Sequence, residues 1–191
     1  TGKLKLDEKT CQATVDMFRN KFLMVKRFWR TCHNAIGDMH HGIVREIDMW
    51  GLCRTEQDCI LLPNGMRLKY FDLREEAHPD FGVQWVYDDK ETRKVKKTYG
   101  GSITENLCQA LARNVVFEQM LEVEKKYGSY SDADSGVALT VHDEVVSVVD
   151  EDKGEECLKF MLGAMHEAPR WWPELPVAAE GDIAMRYGDA K

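Results

Sequence analysis

The stretch Leu139–Val149, LTVHDEVVSVV, sets three ionisable groups, His142, Asp143 and Glu144, inside an apolar, β-branched run. Val, Leu and Thr dominate on both sides, so a largely buried strand is expected. Taking a carboxylate out of water is costly unless something offsets it, most often a cation. Successive side chains of a strand point to opposite faces. Asp143 and Glu144 therefore share a face only if a turn falls between them. A tight hairpin turn at His-Asp-Glu resolves this by lifting the acids out of the sheet to its edge. A surface turn that merely carries acids is the plain alternative, since exposed carboxylates are common.

Upstream, GGSITENLCQALARNVVFEQMLEVEKKYG (100–128) is a helix bounded by glycines. Ser102 followed by Glu105 fits a capping box. Leu107, Leu111 and Val115 form one apolar row, and Cys108, Ala112, Val116 and Met120 the next. Burial over most of the circumference is expected. Asn106, Gln109 and Arg113 fall on one polar stripe. It faces either solvent or a ligand, and two amides with a guanidinium suit bases and phosphates. Tyr99, Gly100 and Gly101 form a tight entry, either a plain turn or a place where backbone approaches a ligand closely.

Before that helix stand two hairpin signals. CILLPNGMRLKYF (59–71) turns at Pro63, Asn64 and Gly65, and Asn-Gly between strand-like arms is a strong hairpin signal. VQWVYDDKETRKVKKTY (83–99) repeats the plan with a longer tip. Its second arm, Arg93–Lys97, is basic. It either protects a sheet edge or touches phosphate. Earlier still, Phe18, Phe22, Val25, Trp29, Cys32 and Ile36 trace one face of a long helix starting near Asp7, a plausible N-cap. A core-facing stripe is the simplest account. Gly37 marks a stop or kink, after which the pattern resumes through Ile43 and Ile47. After the acidic hairpin, Leu158, Met161, Leu162 and Met165 keep helical spacing up to Pro169. The tail LPVAAEGDIAMRYGDAK begins strand-like at Leu175–Ala179 and turns at Gly181. The sum is one compact α+β unit, antiparallel hairpins packed on several α-helices.

The chain has 191 residues, 43% hydrophobic and 31% charged, with a net charge of −7. That suits a soluble globular class and argues against a bulk basic nucleic-acid coat, though not against a local basic groove. Six cysteines without any CxxC pair suggest free thiols in a reducing compartment. No apolar run is long enough to span a bilayer. His33, His40 and His41 lie close in sequence but complete no zinc pattern, and His78 and His166 read as surface groups. There is no Walker loop, GxSxG elbow or GxGxxG. Adjacent carboxylates at a hairpin tip suit magnesium, which takes oxygen ligands and commonly binds one or two carboxylates plus substrate phosphates.

Together, TYGGSITENLCQALARN, then LTVHDEVV, then LPVAAEGDIAMRYGDAK resemble the C-terminal part of a family A DNA polymerase, the polymerase I type, most closely its phage members. The first resembles the palm helix that precedes the last catalytic motif. The second resembles that motif, and the third the family's closing strand and finish. FRNKFLMVKRFW resembles the segment after the nucleotide-binding helix of the fingers. The resemblance implies a partial palm domain, with about 1–50 a helical fingers–palm connection and about 51–191 palm. It makes Asp143 a catalytic metal ligand, Glu144 a second-rank carboxylate and metal ligand beside it, and His142 a brace of the turn near the primer terminus. Gln109 contacts the minor groove near the terminal pair, where acceptors are similar for all bases. Asn106, Arg113 and Thr104 of the same motif are further DNA-binding residues. Two Mg2+ ions, primer–template DNA and deoxynucleoside triphosphates follow as cofactor and partners, in a bacterial or phage-infected host cytoplasm, with no membrane partner.

Two family features are absent here: the second catalytic aspartate on an earlier palm strand, and a fingers helix with its arginine and lysine. Both belong upstream, and TGKLKLDEKT looks like a cut or an internal boundary. An upstream polymerase portion is therefore an expected partner, and the chain alone is expected to lack synthesis. A non-catalytic DNA-binding module with a polymerase-like palm is the alternative. A small metal-dependent nuclease using Asp143 and Glu144 is a third reading.

Overall fold

The computed structural model describes residues 7–79, 82–128 and 135–190. The stretch before Asp7 lies outside them. The class is α+β, with α-helices and three small antiparallel sheets. Two compact units form, Thr1–Cys108 and Gln109–Lys191, where one was expected.

Asp7 caps the first helix as its sequence position suggested, accepting from Thr10 N at 2.9 Å. The expected single long helix is two: α1 (Glu8–Lys21) and α2 (Leu23–His40). The break falls at Phe22, where φ is −109° and ψ 60°. No glycine or proline marks it. Phe18 holds the bend, its ring 4.8 Å from that of Phe22 and 6.3 Å from that of Trp29. Gly37 neither stops nor kinks α2, which runs on to His40. The apolar stripe is core only in its second half. Cys32, Ala35, Ile36 and Met39 are buried, while Phe18, Phe22 and Val25 stay exposed and α1 buries nothing.

Ile43 and Ile47 do not resume a helix. The segment after α2 is a loop organised by one carboxylate. Asp48 Oδ1 accepts from Trp50 N at 2.9 Å and Leu52 N at 3.1 Å, and its Oδ2 accepts from Cys53 N at 2.8 Å. Three short strands follow, β1 (Arg54–Glu56), β2 (Cys59–Leu61) and β3 (Arg67–Lys69), paired in that order. The expected turn joins β2 to β3. Gly65 takes φ +82°, Gly65 N donates to Leu62 O, and Asn64 Oδ1 accepts from Met66 N at 3.0 Å. The second sheet is β4 (Phe71–His78), β5 (Gly82–Asp89) and β6 (Lys94–Thr98). β5 and β6 are the expected second hairpin. β1 and β4 were not anticipated.

The core of this unit gathers Ile36, Met39, Ile60, Tyr70, Val86 and Ile103. Tyr70 is 1% exposed, and burial pushes its phenol up to about 12. Cys53 is pushed to about 12 by burial, then by the charge of Asp48.

Helix α3 (Gly100–Tyr127) crosses the division between the units. Ser102 does not cap it from outside. It lies in the first turn and accepts from Tyr99 N at 2.9 Å, while Ile103 N donates to Tyr99 O. At Gly100 a Cβ would collide with Trp29 O, so glycine lets α3 seat directly on α2. The wide buried arc does not form. Ile103, Leu107, Asn114, Val115, Gln119 and Val123 are buried, but Cys108 and Ala112 face out. A helix with neighbours on one side needs only one inward stripe.

In the second unit α3 pairs antiparallel with α4 (Gly154–His166). Tyr127 meets Phe160 edge-on at 5.7 Å, and Gln119 Nε2 donates to Met165 O and Glu167 O at 3.1 and 3.0 Å. Glu118 accepts from Trp171 Nε1 at 2.9 Å. The third sheet is the hairpin β7 (Gly136–Val141) and β8 (Glu144–Val148). Leu175–Ala179 is not a strand. The tail instead runs as irregular chain along α4, with Gly181 against Leu158 and Leu162 and Ile183 over Gly154.

Candidate active site

The run LTVHDEVVSVV forms a hairpin as anticipated, but a less buried one than its composition suggests. Ala138–Val141 are exposed, and of β8 only Val145 is buried. A two-stranded sheet has one packed side here: Val145 turns inward, while Leu139, Val141 and Val148 face out. The valines therefore make the strands, and burial is not why they are there.

Val141 pairs with Glu144, so the loop is two residues long, His142 and Asp143. Short loops of this kind need a positive φ because their twist must match that of the strands. His142 supplies it at φ 54°. Histidine tolerates this region better than most residues, though not without cost. The turn separates the two acids as the pleat requires. Asp143 sits at the tip and Glu144 is the first residue of β8.

The acids differ in surroundings. Asp143 is exposed and makes no hydrogen bond or ion pair among the described residues. Glu144 is half-buried, and its Oε2 accepts from the hydroxyl of Tyr187 at 2.9 Å. That acceptor, first among the causes, holds the Tyr187 phenol above its ordinary pKa. The hairpin's other end is fixed as well. Glu124 Oε2 of α3 accepts from Val137 N at 2.8 Å, and Ser147 Oγ donates to Gly136 O at 2.8 Å. Neither Tyr187 nor Glu124 is evident from sequence. Each acts across a loop or helix that only the fold brings near.

The polar stripe of α3 divides. Gln109 and Arg113 are exposed one turn apart, with Ala112 and Cys108 beside them. The Arg113 guanidinium lies 4.7 Å over the Phe117 ring. Asn106 is committed elsewhere: its Nδ2 donates to the Tyr70 hydroxyl at 3.1 Å in the first unit. Thr104 Oγ1 donates to Gly100 O at 2.8 Å.

The donor set at the hairpin tip is two carboxylates, hard oxygen ligands of the kind magnesium takes. No group of three or more His, Cys, Asp or Glu residues that could hold a metal occurs among the described residues. Asp143 keeps both carboxylate oxygens uncommitted among the described residues, so by itself it would supply only part of such a ligand set. His40 and His41 each set a ring nitrogen against a backbone carbonyl. His40 Nδ1 lies 2.7 Å from Leu73 O, and His41 Nδ1 2.7 Å from Gly37 O. The described cysteines are free. No described helix is long and apolar enough to cross a membrane.

No family model matches the chain, and no solved structure matches it. The chain is similar to a DNA polymerase of Bacillus phage SP02, with 30% identity over 132 residues. That covers 67% of this chain and 19% of the phage protein, so the chain spans about a fifth of that relative's length. A relationship to a phage DNA polymerase is established at that level.

Proposed function

We propose that this relative of a phage DNA polymerase is the C-terminal catalytic part of a family A, template-directed DNA polymerase. Residues 1–50 are then the end of the fingers and 51–191 palm. The observation that carries the reading is the two-residue turn holding Asp143 outward, uncommitted, on a chain that also bears Gln109 and Arg113 on an open helix face.

Asp143 offers its carboxylate to a divalent metal, and Glu144 stands behind it, steadied by Tyr187. Magnesium, when bound, supplies charge stabilisation for the attacking and leaving oxygens of nucleotidyl transfer. His142 shapes the turn that aims Asp143. Gln109 and Arg113 meet primer–template DNA, the amide at base edges and the guanidinium at phosphate. The reading puts Asp143 and the α3 stripe at one cleft of the second unit. Glu124 ties the hairpin base to α3. From Glu124 back to Gln109 is roughly 22 Å of helix. From Val137 to the tip is roughly 20 Å of strand. The two lengths agree to within a few ångströms, as the reading requires of a tip that meets the stripe.

An upstream palm strand with a second aspartate completes the metal site, and an upstream fingers helix binds the deoxynucleoside triphosphate. Phage-infected host cytoplasm is the matching compartment. The test is primer extension with magnesium and four nucleotides. The chain alone gives no product. Mixed with a separately expressed segment supplying those upstream elements, it restores synthesis, and Asp143→Ala abolishes it. Restored synthesis that survives Asp143→Ala refutes the assignment.

A second reading, a non-catalytic DNA-binding module, is favoured by one observation: the lack of a complete metal-ligand group among the described residues. Tight DNA binding with no synthesis in the mixture selects it.

A further inference from the structure

The sequence leaves the basic arm open between edge protection and phosphate contact, and its surroundings bear on the choice. Among the described residues β6 pairs only with β5, at the edge of its sheet. Residues 90–97 are all exposed. They carry Lys90, Arg93, Lys94, Lys96 and Lys97 against one carboxylate, Glu91, in a chain whose net charge is −7. The acids that could neutralise this arm are already engaged. Asp89 folds into the tip, where Oδ1 accepts from Glu91 N at 2.9 Å and Oδ2 from Thr92 Oγ1 at 2.9 Å, and Lys96 is bonded to it. That Lys96 bond, the largest cause, holds the Asp89 carboxyl well below the usual range. Asp88 is taken by Arg74 at 3.0 Å. Arg93, Lys94 and Lys97 are left without an ion pair among the described residues.

Charged side chains, lysine above all, protect an edge, but a strand with this many unneutralised cations also repels itself. Such a density is stabilised when a polyanion replaces its counterions. An aromatic ring lies on the same sheet. Phe71, in register with Asp88, is partly exposed and has the Lys90 and Lys69 ammoniums 5.0 and 5.8 Å from its centroid. Cations flanking an accessible ring suit a sugar–phosphate strand.

We propose that the β5–β6 hairpin, through Lys90, Lys94 and Lys97, is a second nucleic-acid contact, gripping the phosphate backbone of DNA apart from the Asp143 site. This rests on the reading that DNA is the chain's partner. Arg93 is left out of the test because its φ of 55° makes it a backbone-sensitive position.

The test is fluorescence anisotropy of a labelled primer–template oligonucleotide with the full chain, from about 50 to 200 mM salt, the range over which phosphate contacts dominate. Lys90→Gln/Lys94→Gln/Lys97→Gln should weaken binding at least about tenfold at 100 mM salt and reduce the slope of log K against log salt by about 2 to 3. The matching Lys→Arg triple should keep both, and circular dichroism checks that each variant folds. An unchanged slope in a folded Gln variant overturns the proposal. So does self-association of that variant, by gel filtration, with DNA affinity intact, which marks the lysines as edge guards. If the Gln triple does not fold, Lys94→Gln/Lys97→Gln is read instead, with a slope change of about 2 expected. Wild-type chain that binds no DNA even at low salt overturns the DNA reading together with this one. An unchanged variant slope beside restored primer extension overturns this one alone.

Discussion

Tyr187 donates its hydroxyl to Glu144 Oε2 at 2.9 Å, so the tail of the chain is fastened to the strand that begins at the acidic turn. Between the two, Gly181 and Ile183 pass along α4. The second unit thus closes on itself around the hairpin. Tyr187→Phe should leave the melting temperature within a degree or two, because both groups are reached by water. Amide exchange of residues 182–190 should nevertheless speed up severalfold. The sign with pH follows from the raised phenol. A folded pKa above the unfolded one means the fastening is fully present below about 10 and is lost as pH rises through the folded value. Exchange that is identical in wild type and variant across pH 7–11 would remove Tyr187 from this role.

Asp143 should be separable from stability. It is exposed at the tip and makes no hydrogen bond or ion pair among the described residues. Asp143→Ala is expected to change unfolding free energy by less than about 0.5 kcal/mol. On the polymerase reading proposed above, it should abolish synthesis in the mixture with the upstream segment. A melting temperature that drops by several degrees would mean the carboxylate holds the turn.

His142 is the strained position of that turn, at φ 54°. His142→Gly should fold at least as well, gaining up to about 1 kcal/mol of strain relief against its extra chain entropy. His142→Val should lose about 1–2 kcal/mol, since a branched Cβ resists positive φ. Chemical denaturation of both variants decides the matter: equal stability would mean the turn re-forms with another geometry.

Alkaline pH should weaken the first unit before the second. Tyr70 ionises at about 12 when folded and at about 10 when unfolded. Its contribution is complete below pH 10 and falls as pH rises towards 12, on the order of 2–3 kcal/mol in all. Cys53, also pushed to about 12, acts in the same sense from about pH 9. Tyr70→Phe should flatten the decline in stability between pH 9 and 11.5. It should also cost about 1–2 kcal/mol at pH 7, because Asn106 loses its acceptor.

Asp48 should matter for folding, although sequence gave it no special weight. It accepts three backbone N–H groups between Trp50 and Cys53. Asp48→Ala leaves those donors short of a partner at a loss of about 1–3 kcal/mol, and Asp48→Asn should lose less. Equal stability of the three proteins by urea titration would mean water replaces the carboxylate.

Periodicity and turn chemistry made much of the fold legible. The two Gly- and Asp-tipped hairpins, α3, α4 and the acidic hairpin all rest on local signals: Asn64-Gly65, the apolar row through Leu107 and Val115, and β-branched residues around His142. What stayed hidden is tertiary. The bend at Phe22 has no breaker residue, and β1 and β4 are strands fixed by their neighbours, the latter with a register shift after Phe71. Exposure was misjudged where an apolar run met no partner, as at Val141 and Cys108. The candidate site was legible at Asp143, where a charge in a β-branched run demands a reason. It was not legible at Tyr187, whose partner lies far away along the chain, at Glu144.

The contact at Gly100 sets a filter on any sequence built to this plan. The Trp29 carbonyl stands where a methyl group would go, so saturation mutagenesis at this codon should return glycine and little else among properly folded clones. At Gly101 the obstacle is the ring of the neighbouring Tyr99, which can swing aside, and the same screen should be more permissive. Of the paired glycines, the first is the better marker for recognising further chains built to this plan.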